Sequence, residues 1–401
     1  MGLRTLAISL VAIFVPIYFL SELGFTLTEV FTYLLIWTLL VIVSSPIVAK
    51  ITAKIGFKRT MFLSVPLTVV YMILLYMMKG YNIHYFWIAL LGAVSMELFW
   101  MGFHIDFAQN SHKKKRAEEV STWFSILLAV GVIGPLLGSV IIKFIGFKTL
   151  FVIASILMVL AVIPLMFTDT KKAPKDFKLK KAIFNKKYKK EALLYAAYGI
   201  KEMADSVFWP LFIFLTIKDV VSVGMIISVV ALISAIYFPI IGKMIDLTND
   251  KKSRTFVRLE SLISGVSWPF RYVLNIFIPI LPITIVSFIG RVKDNKKPNR
   301  IRGFVRLGAL IDGVSWPFRY VLTTFFPMLS ITIISFLAFA LVDIPLYKKF
   351  YDEMHDTTEY VVMREVSMYA GKAILVLVVM ALGFKGGFWL MGLSNLAYLL
   401  M

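Results

Sequence analysis

The chain has 401 residues, of which 59% are hydrophobic and only 16% charged, and its formal net charge is +20. A mean hydropathy of +0.84 is far above that of an ordinary soluble domain, which excludes that class and requires much of the apolar surface to face lipid. Cysteine is absent, so disulfides and thiolate metal sites are excluded as well.

Apolar runs long enough to cross the hydrocarbon core as helices, about 20 residues each, recur along the whole sequence. Barrel strands would alternate in polarity over about 10 residues, so the expected fold is an all-α polytopic membrane protein. In chain order the predicted spans cover 5–22, 29–49, 60–79, 84–106, 120–143 and 148–167, then 192–217, 221–243, 256–274, 275–291, 304–322, 323–346, 363–384 and 386–401. No small-residue cleavage site follows the first run, and more spans come at once, so it reads as a retained helix and not a signal peptide.

The position of the basic residues decides what the charge is for. Connections after the second and fourth predicted spans carry Lys50, Lys54, Lys58 and Arg59, then Lys113, Lys114, Lys115 and Arg116. The stretch KKAPKDFKLKKAIFNKKYKK after the sixth holds ten lysines, whereas SELGFTLTE after the first has no Lys or Arg. Alternation of this kind follows the positive-inside rule and puts the N-terminus and the lysine stretch in the cytoplasm, with the plasma (inner) membrane the expected location. The lysines read as a solvated topology determinant that also touches anionic lipid. A nucleic-acid partner is not expected, since no aromatic stacking residues are interleaved in a folded module. The same stretch, 168–191, is the linker between a six-helix bundle over 1–167 and a second bundle over 192–401, an organisation found in transporters built from two pseudo-symmetric halves.

Three local motifs sit in this frame. AKITAKIGFKRT joins the second and third spans and contains Lys54, Gly56, Lys58 and Arg59. GKMIDLTNDKKSR follows the eighth and contains Gly242 and Asp246, a small residue that lets helices approach and a carboxylate at a helix end. GVIGPLLG in the fifth contains Gly134, Pro135 and Gly138. In this order the chain resembles the major facilitator superfamily over essentially its whole length. The resemblance implies two pseudo-symmetric bundles of about 12 core helices and a secondary transporter. It assigns the loop motifs at Gly56, Lys58, Arg59, Gly242 and Asp246 to gating. Ala49 and Ala53 stand where the family pattern has a glycine and an aspartate, leaving the first loop without its latch carboxylate. The Gly-Pro pattern is one frequent in the family's antiporters, but Val130 and Ser139 occupy two of its glycine positions. Helix packing and kinking is the alternative role for Gly134 and Pro135.

A tandem repeat makes the second half longer than the family pattern. FVRLESLISGVSWPFRYVL begins at Phe256 and FVRLGALIDGVSWPFRYVL at Phe304, and 24 of 33 positions are identical between 256–288 and 304–336. An inserted hairpin crosses the membrane twice and leaves everything downstream in the same orientation. The basic loop GRVKDNKKPNRIRG between the copies fits this, and its Gly290 and Asp294 echo Gly242 and Asp246. Solenoid repetition would need three or more units, so a tandem duplication or a faulty gene assembly is the better reading. The second copy is expected to be the packed one, because only it runs on into LAFALVDIPLYKKFYDEMHD.

Ionisable groups inside spans are functional candidates by default. Glu97, Trp100 and His104 share one face of the fourth span, and Glu202, Asp205 and Trp209 one face of the seventh, with Lys201 beside them. In the family the first, fourth, seventh and tenth helices line the central cavity, so these residues are candidates for a substrate or proton path. Glu97 and Glu202 lie near mid-depth, and a purely structural polar contact is their alternative role. Lys201 and Asp205, four apart, read as a local ion pair. Arg271 and Arg319, in the two copies of WPFR, read as snorkelling to the interface. Tyr18, Trp100, Tyr195, Tyr198 and Trp209 are candidate aromatic walls for flat or apolar solutes. A membrane enzyme acting on lipid, the alternative class, would need convergent catalytic groups, and the four histidines are scattered. A channel would need a pore-loop filter sequence. No phosphate-binding loop of the G-x-x-x-x-G-K-[ST] type occurs, so energy would come from a gradient. The expected partners are a small-molecule substrate, membrane lipid and protons, and the expected assembly is a monomer with no cofactor or metal.

Overall fold

The computed structural model describes residues 2–166, 188–246, 325–354, 358–394 and 397, and the regular elements among them are all helical. The first crossing is α1 (Gly2–Val11) and α2 (Val15–Ser21), joined by a single 3-10 turn. It is followed by α3 (Leu27–Ile55), α4 (Phe57–Met77), α5 (Tyr85–Asn110), α6 (Arg116–Phe144) and α7 (Phe147–Met166). Beyond the lysine stretch come α8 (Lys189–Met203), a π turn over Ala204–Phe208, α9 (Trp209–Ile217), α10 (Val220–Asp246), α11 (Phe325–Glu353) and α12 (Thr358–Ser394).

The starts and stops have local causes. Thr26 and Glu29 form a reciprocal capping box at the head of α3, Thr26 N donating to Glu29 Oε2 at 2.7 Å. Gly56 takes φ 91° between α3 and α4, a backbone state open to glycine and costly for side-chain-bearing residues. Asp219 caps α10 by accepting from the backbone N and Oγ of Ser222, at 2.9 and 2.8 Å. Partial burial pushes its carboxyl up, but the Ser222 hydrogen bonds and Lys143 outweigh that and hold it below the ordinary carboxylate range. The π turn precedes Pro210, whose ring nitrogen has no hydrogen to give the carbonyl of Ser206, so the helix widens there.

The fourteenth predicted span meets the thirteenth inside α12, and the break between them falls at Gly383 (φ 68°, ψ −174°). Gly387 packs against Val379 and Leu375. In a straight helix those residues would lie about 12 and 18 Å away along the axis, so the chain doubles back at Gly383. The predicted spans over 256–274, 275–291 and 304–322 lie outside the described residues. So do Arg271, Gly290, Asp294, Arg319 and the first copy of the repeat.

Contacts follow an internal two-fold pattern. Within each half, α1 packs on α6 as α8 packs on α12, and α3 packs on α5 as α10 packs on α11. Between halves, α6 packs along α10 and α3 along α12. The α8–α12 contact is closest: a Cβ on Gly199 would lie 1.8 Å from Met368 O, and one on Gly371 1.9 Å from Ala196 O, so even alanine collides with backbone at either position. Outward, large apolar side chains such as Val43, Ile156, Ile236 and Leu382 are exposed, each by more than 45%, as lipid contact requires. Among the described residues, seven helices are long and apolar enough to cross a membrane.

The end of the second repeat copy is inside the bundle. Leu329 packs on the core, and Trp209 Nε1 donates to Thr332 Oγ1 at 2.8 Å, tying α9 to α11. Deleting residues 256–303 is therefore expected to leave a monodisperse membrane protein whose melting temperature moves by only a few degrees. Failed expression of that deletion, with removal of the second copy tolerated, would reverse the assignment of the packed unit.

Candidate functional site

A cavity of about 280 Å³ opens between the halves, walled mainly by the first crossing, α3, α4 and α5 on one side and by α8, the π turn and α12 on the other. Its surface is predominantly aromatic and aliphatic, with Tyr33, Trp37, Tyr71 and Trp100 among the lining residues and Arg4, Glu202 and Lys372 as the charges. Glu202 and Lys372 form an ion pair. Lys372 Nζ also lies 4.1 Å from the centre of the Tyr369 ring, which compensates part of the cost of burying an ammonium.

From the cavity toward the end of the bundle where Lys54, Lys58 and Arg116 lie, α5, α11 and α12 contribute a buried polar network. Arg364 Nη2 donates to Tyr347 OH at 2.7 Å, while its Nη1 pairs with Glu365 and faces His104 Nε2 at 3.3 Å. Arginine can only donate, so Nε2 accepts, and the ring proton sits on Nδ1, which lies 2.8 Å from Tyr351 OH. The network thus runs from α12 through His104 of the first half to α11 of the second. Glu97 is 1% exposed, its Oε1 has no hydrogen-bond partner, and Glu365, Arg364 and Lys372 are its charged neighbours. Around this point three carboxylates, Glu97, Glu202 and Glu365, face two cations, Arg364 and Lys372. One bound proton would balance them.

Contacts across the halves lie toward both ends of the cavity. At the basic end, Arg116, 1% exposed, donates from Nη1 to Tyr351 O at 2.8 Å and to Asp352 Oδ1 at 2.7 Å. Above it Phe107 packs on Tyr351 at 4.4 Å between ring centres, and Phe124 on Tyr347 at 5.1 Å. At the other end Phe31 of α3 stacks on Phe208 at 5.4 Å and meets Phe384 of α12 at 5.8 Å. Lys143 and Asp219 approach to 3.6 Å there.

The sequence candidates distribute as follows. Trp100 lines the cavity and stacks on His104 at 5.5 Å, with Glu97 and His104 behind it on the same helix face. Glu202 lines the cavity, but its cation is Lys372 and not the adjacent Lys201. Lys201 Nζ is instead 4.0 Å from Asp343 Oδ1 of α11. Asp205 is buried in the π turn, and Trp209 serves the bond to Thr332. Tyr18 does not line the cavity: it is fully buried within the first half, its OH donating to Leu75 O at 3.0 Å and its ring packed on Phe147 and Phe151. Tyr195 and Tyr198 are buried core residues, Tyr195 OH 3.2 Å from Tyr360 OH.

Among the loop motifs, Gly56 supplies the turn, while Lys58 and Arg59 make no ion pair among the described residues. Gly134 and Gly138 of α6 let α1 approach, for a Cβ on either would meet Ser9 or the Leu10 carbonyl within 2.5 Å. Pro135 is buried beside them. Gly242 does the same against Ser121 and Ala117 of α6, and the Asp246 side chain lies outside the described residues. Arg4, Arg116, Asp343, Arg364, Glu365 and Lys372 are absent from the sequence reading of the site. The rule that found Glu97 applies equally to Lys372, which sits inside an apolar run.

Comparison with known proteins agrees with this architecture. The Major Facilitator Superfamily profile matches residues 1–356. The E. coli fucose:proton symporter FucP superposes with a TM-score of 0.62 at 11% identity, covering 99% of this chain and 94% of that chain. A bacterial homologue of the iron transporter ferroportin, in an outward-facing state, gives 0.61 at 13% identity, covering 99% and 96%. Identities this low show a shared fold. No curated protein matches the sequence.

Proposed function

We infer that this chain, which belongs to the Major Facilitator Superfamily and is an integral membrane protein, is a secondary active transporter that moves a small molecule by alternating access and draws on a proton gradient. The observation that carries this reading is a cavity walled by both halves, with ionic and aromatic contacts between the halves toward each of its ends. Opening one closure while the other holds would expose the same cavity to one side at a time. The proton reading rests on the buried charge imbalance beside that cavity. A proton arriving from either side neutralises it, lowering the cost of passing through the occluded form. The cavity and both closures lie in one chain, so a monomer suffices. Lysines and arginines concentrated at one end make that end cytoplasmic, with the N-terminus on the same side.

The test is uptake into proteoliposomes carrying the purified protein, across an imposed pH gradient, with cationic drugs, sugars and organic acids as the screened solutes. Accumulation that a protonophore collapses is expected for at least one class. Accumulation indifferent to the pH gradient would remove the proton and leave the transporter.

A further inference from the structure

We propose that the cavity binds a small organic monoanion, a carboxylate on a compact aromatic or branched body, with Arg4 as its anchoring cation; this rests on the transporter reading and names its substrate class. Three charged side chains line the cavity, and two of them, Lys372 and Glu202, neutralise one another. Arg4 is left over. Its guanidinium carbon lies 3.3 Å from the centre of the Phe99 ring, its Nε is buried without a hydrogen-bond partner, and no carboxylate among the described residues pairs with it. A guanidinium presents a planar fork of donors suited to a carboxylate, and the Phe99 ring face offsets only part of the cost of a half-buried cation that no carboxylate pairs with. The cavity therefore carries one uncompensated positive charge from its lining, which selects a monoanion over a cation or a dianion. Its size and its aromatic wall of Tyr33, Trp37, Tyr71 and Trp100 favour a flat or branched apolar body beside that charge.

Arg4 belongs to the first half, and Lys372 to the second. An anion seated between them would be attracted from both sides and would compete with Glu202 for Lys372. Binding would in this way alter the charge balance at the place where the halves meet.

The test compares three probes of nearly equal shape, benzoate, benzylamine and benzyl alcohol, by quenching of tryptophan fluorescence and by thermal shift on the full-length protein in detergent. Benzoate is expected to bind, and the cation and the neutral alcohol to bind at least about tenfold more weakly, as loss of one charge-assisted contact implies. Arg4→Gln should weaken benzoate about tenfold while leaving benzylamine unchanged, and Arg4→Lys should recover part of the loss. Should Arg4→Gln not fold, Arg4→Lys alone decides, because its point charge lacks the planar fork and should still weaken benzoate severalfold. Tighter binding of benzylamine, or benzoate binding indifferent to the Arg4 variants, overturns the proposal. Gradient-driven uptake of a sugar or a cation with no benzoate binding would sink this assignment and keep the transporter reading. Benzoate binding that depends on Arg4, without any transport, would do the reverse.

Discussion

Glu97→Gln abolishes accumulation driven by a pH gradient, bringing it to the leak level of protein-free liposomes, while exchange of substrate at equal pH on both sides persists. Three facts set this expectation. Glu97 is buried with Oε1 unpartnered, and the one side-chain donor acting on it is the neutral hydroxyl of Ser45, which is no counter-ion. It faces Glu365 across the boundary between the halves, and the two carboxylates share only Arg364 and Lys372, the latter already paired with Glu202. Like charges this close are costly together. A glutamine has the shape of the protonated acid and none of its ability to give the proton back. It therefore fixes the state in which the halves can pass the occluded form, and exchange continues without coupling. Pair-breaking at Arg364 is a different kind of change, because it strands Glu365 and removes the donor to His104 and Tyr347; it is expected to reduce both activities and the folded yield. Unaltered pH-driven accumulation in Glu97→Gln would take Glu97 out of the mechanism. Equal loss of accumulation and exchange would make it a substrate or structural residue.

Much of the fold is written in the apolar runs, because the cost of a bare peptide group in hydrocarbon leaves the chain little choice but helix. The first eight predicted spans correspond to helices or helix pairs found in the structure. The largest differences at their ends are overruns: α3 runs on to Ile55 and α5 to Asn110, past the predicted 49 and 106. Hydropathy stops at the interface, whereas the backbone ladder continues through Lys54 and Asn110 at no added cost. What the sequence hides is which face of each helix looks inward. These helices are apolar nearly all round, so periodicity does not orient them, and Tyr18 could be read as a cavity wall although it is packed on Phe147 and Phe151. The polar residues at the site are legible one at a time and not as pairs. Glu202 has Lys201 next to it in sequence but meets Lys372 in space. Arg116 looks like one more basic loop residue, since its partner lies 236 positions away. Arg364 and Glu365 stand at the edge of a predicted span, where charges are ordinary, and only packing of α12 against α5 and α11 makes them part of a buried network.

Arg116→Gln opens the basic end of the cavity and makes the residues beneath it accessible from that side. Arg116 is the one buried guanidinium that joins α6 to the last turn of α11, and it makes two contacts there, a carbonyl and a carboxylate. Asp352 is 33% exposed, so the pair is worth less than a fully buried one, and water takes part of the interaction back. A loss of about 1–3 kcal/mol for the two bonds corresponds to a shift of roughly 5- to 150-fold in the ratio of closed to open forms. The rings above, Phe107 on Tyr351 and Phe124 on Tyr347, still favour closure and keep the shift from becoming complete. The natural absence of cysteine makes the measurement direct, because one introduced thiol is the only labelling site. Val120 is buried one turn beyond Arg116 on α6, and Val120→Cys changes little volume. Maleimide labelling of that thiol is expected to be slow in the otherwise unchanged chain and about tenfold faster with Arg116→Gln. Exchanging the charges, Arg116→Asp with Asp352→Arg, should return labelling toward the slow rate. Labelling that stays slow in Arg116→Gln would mean the aromatic contacts alone hold this end shut. Fast labelling that the exchanged pair fails to reverse would place the latch in the bond to the Tyr351 carbonyl, which only an arginine at 116 can make.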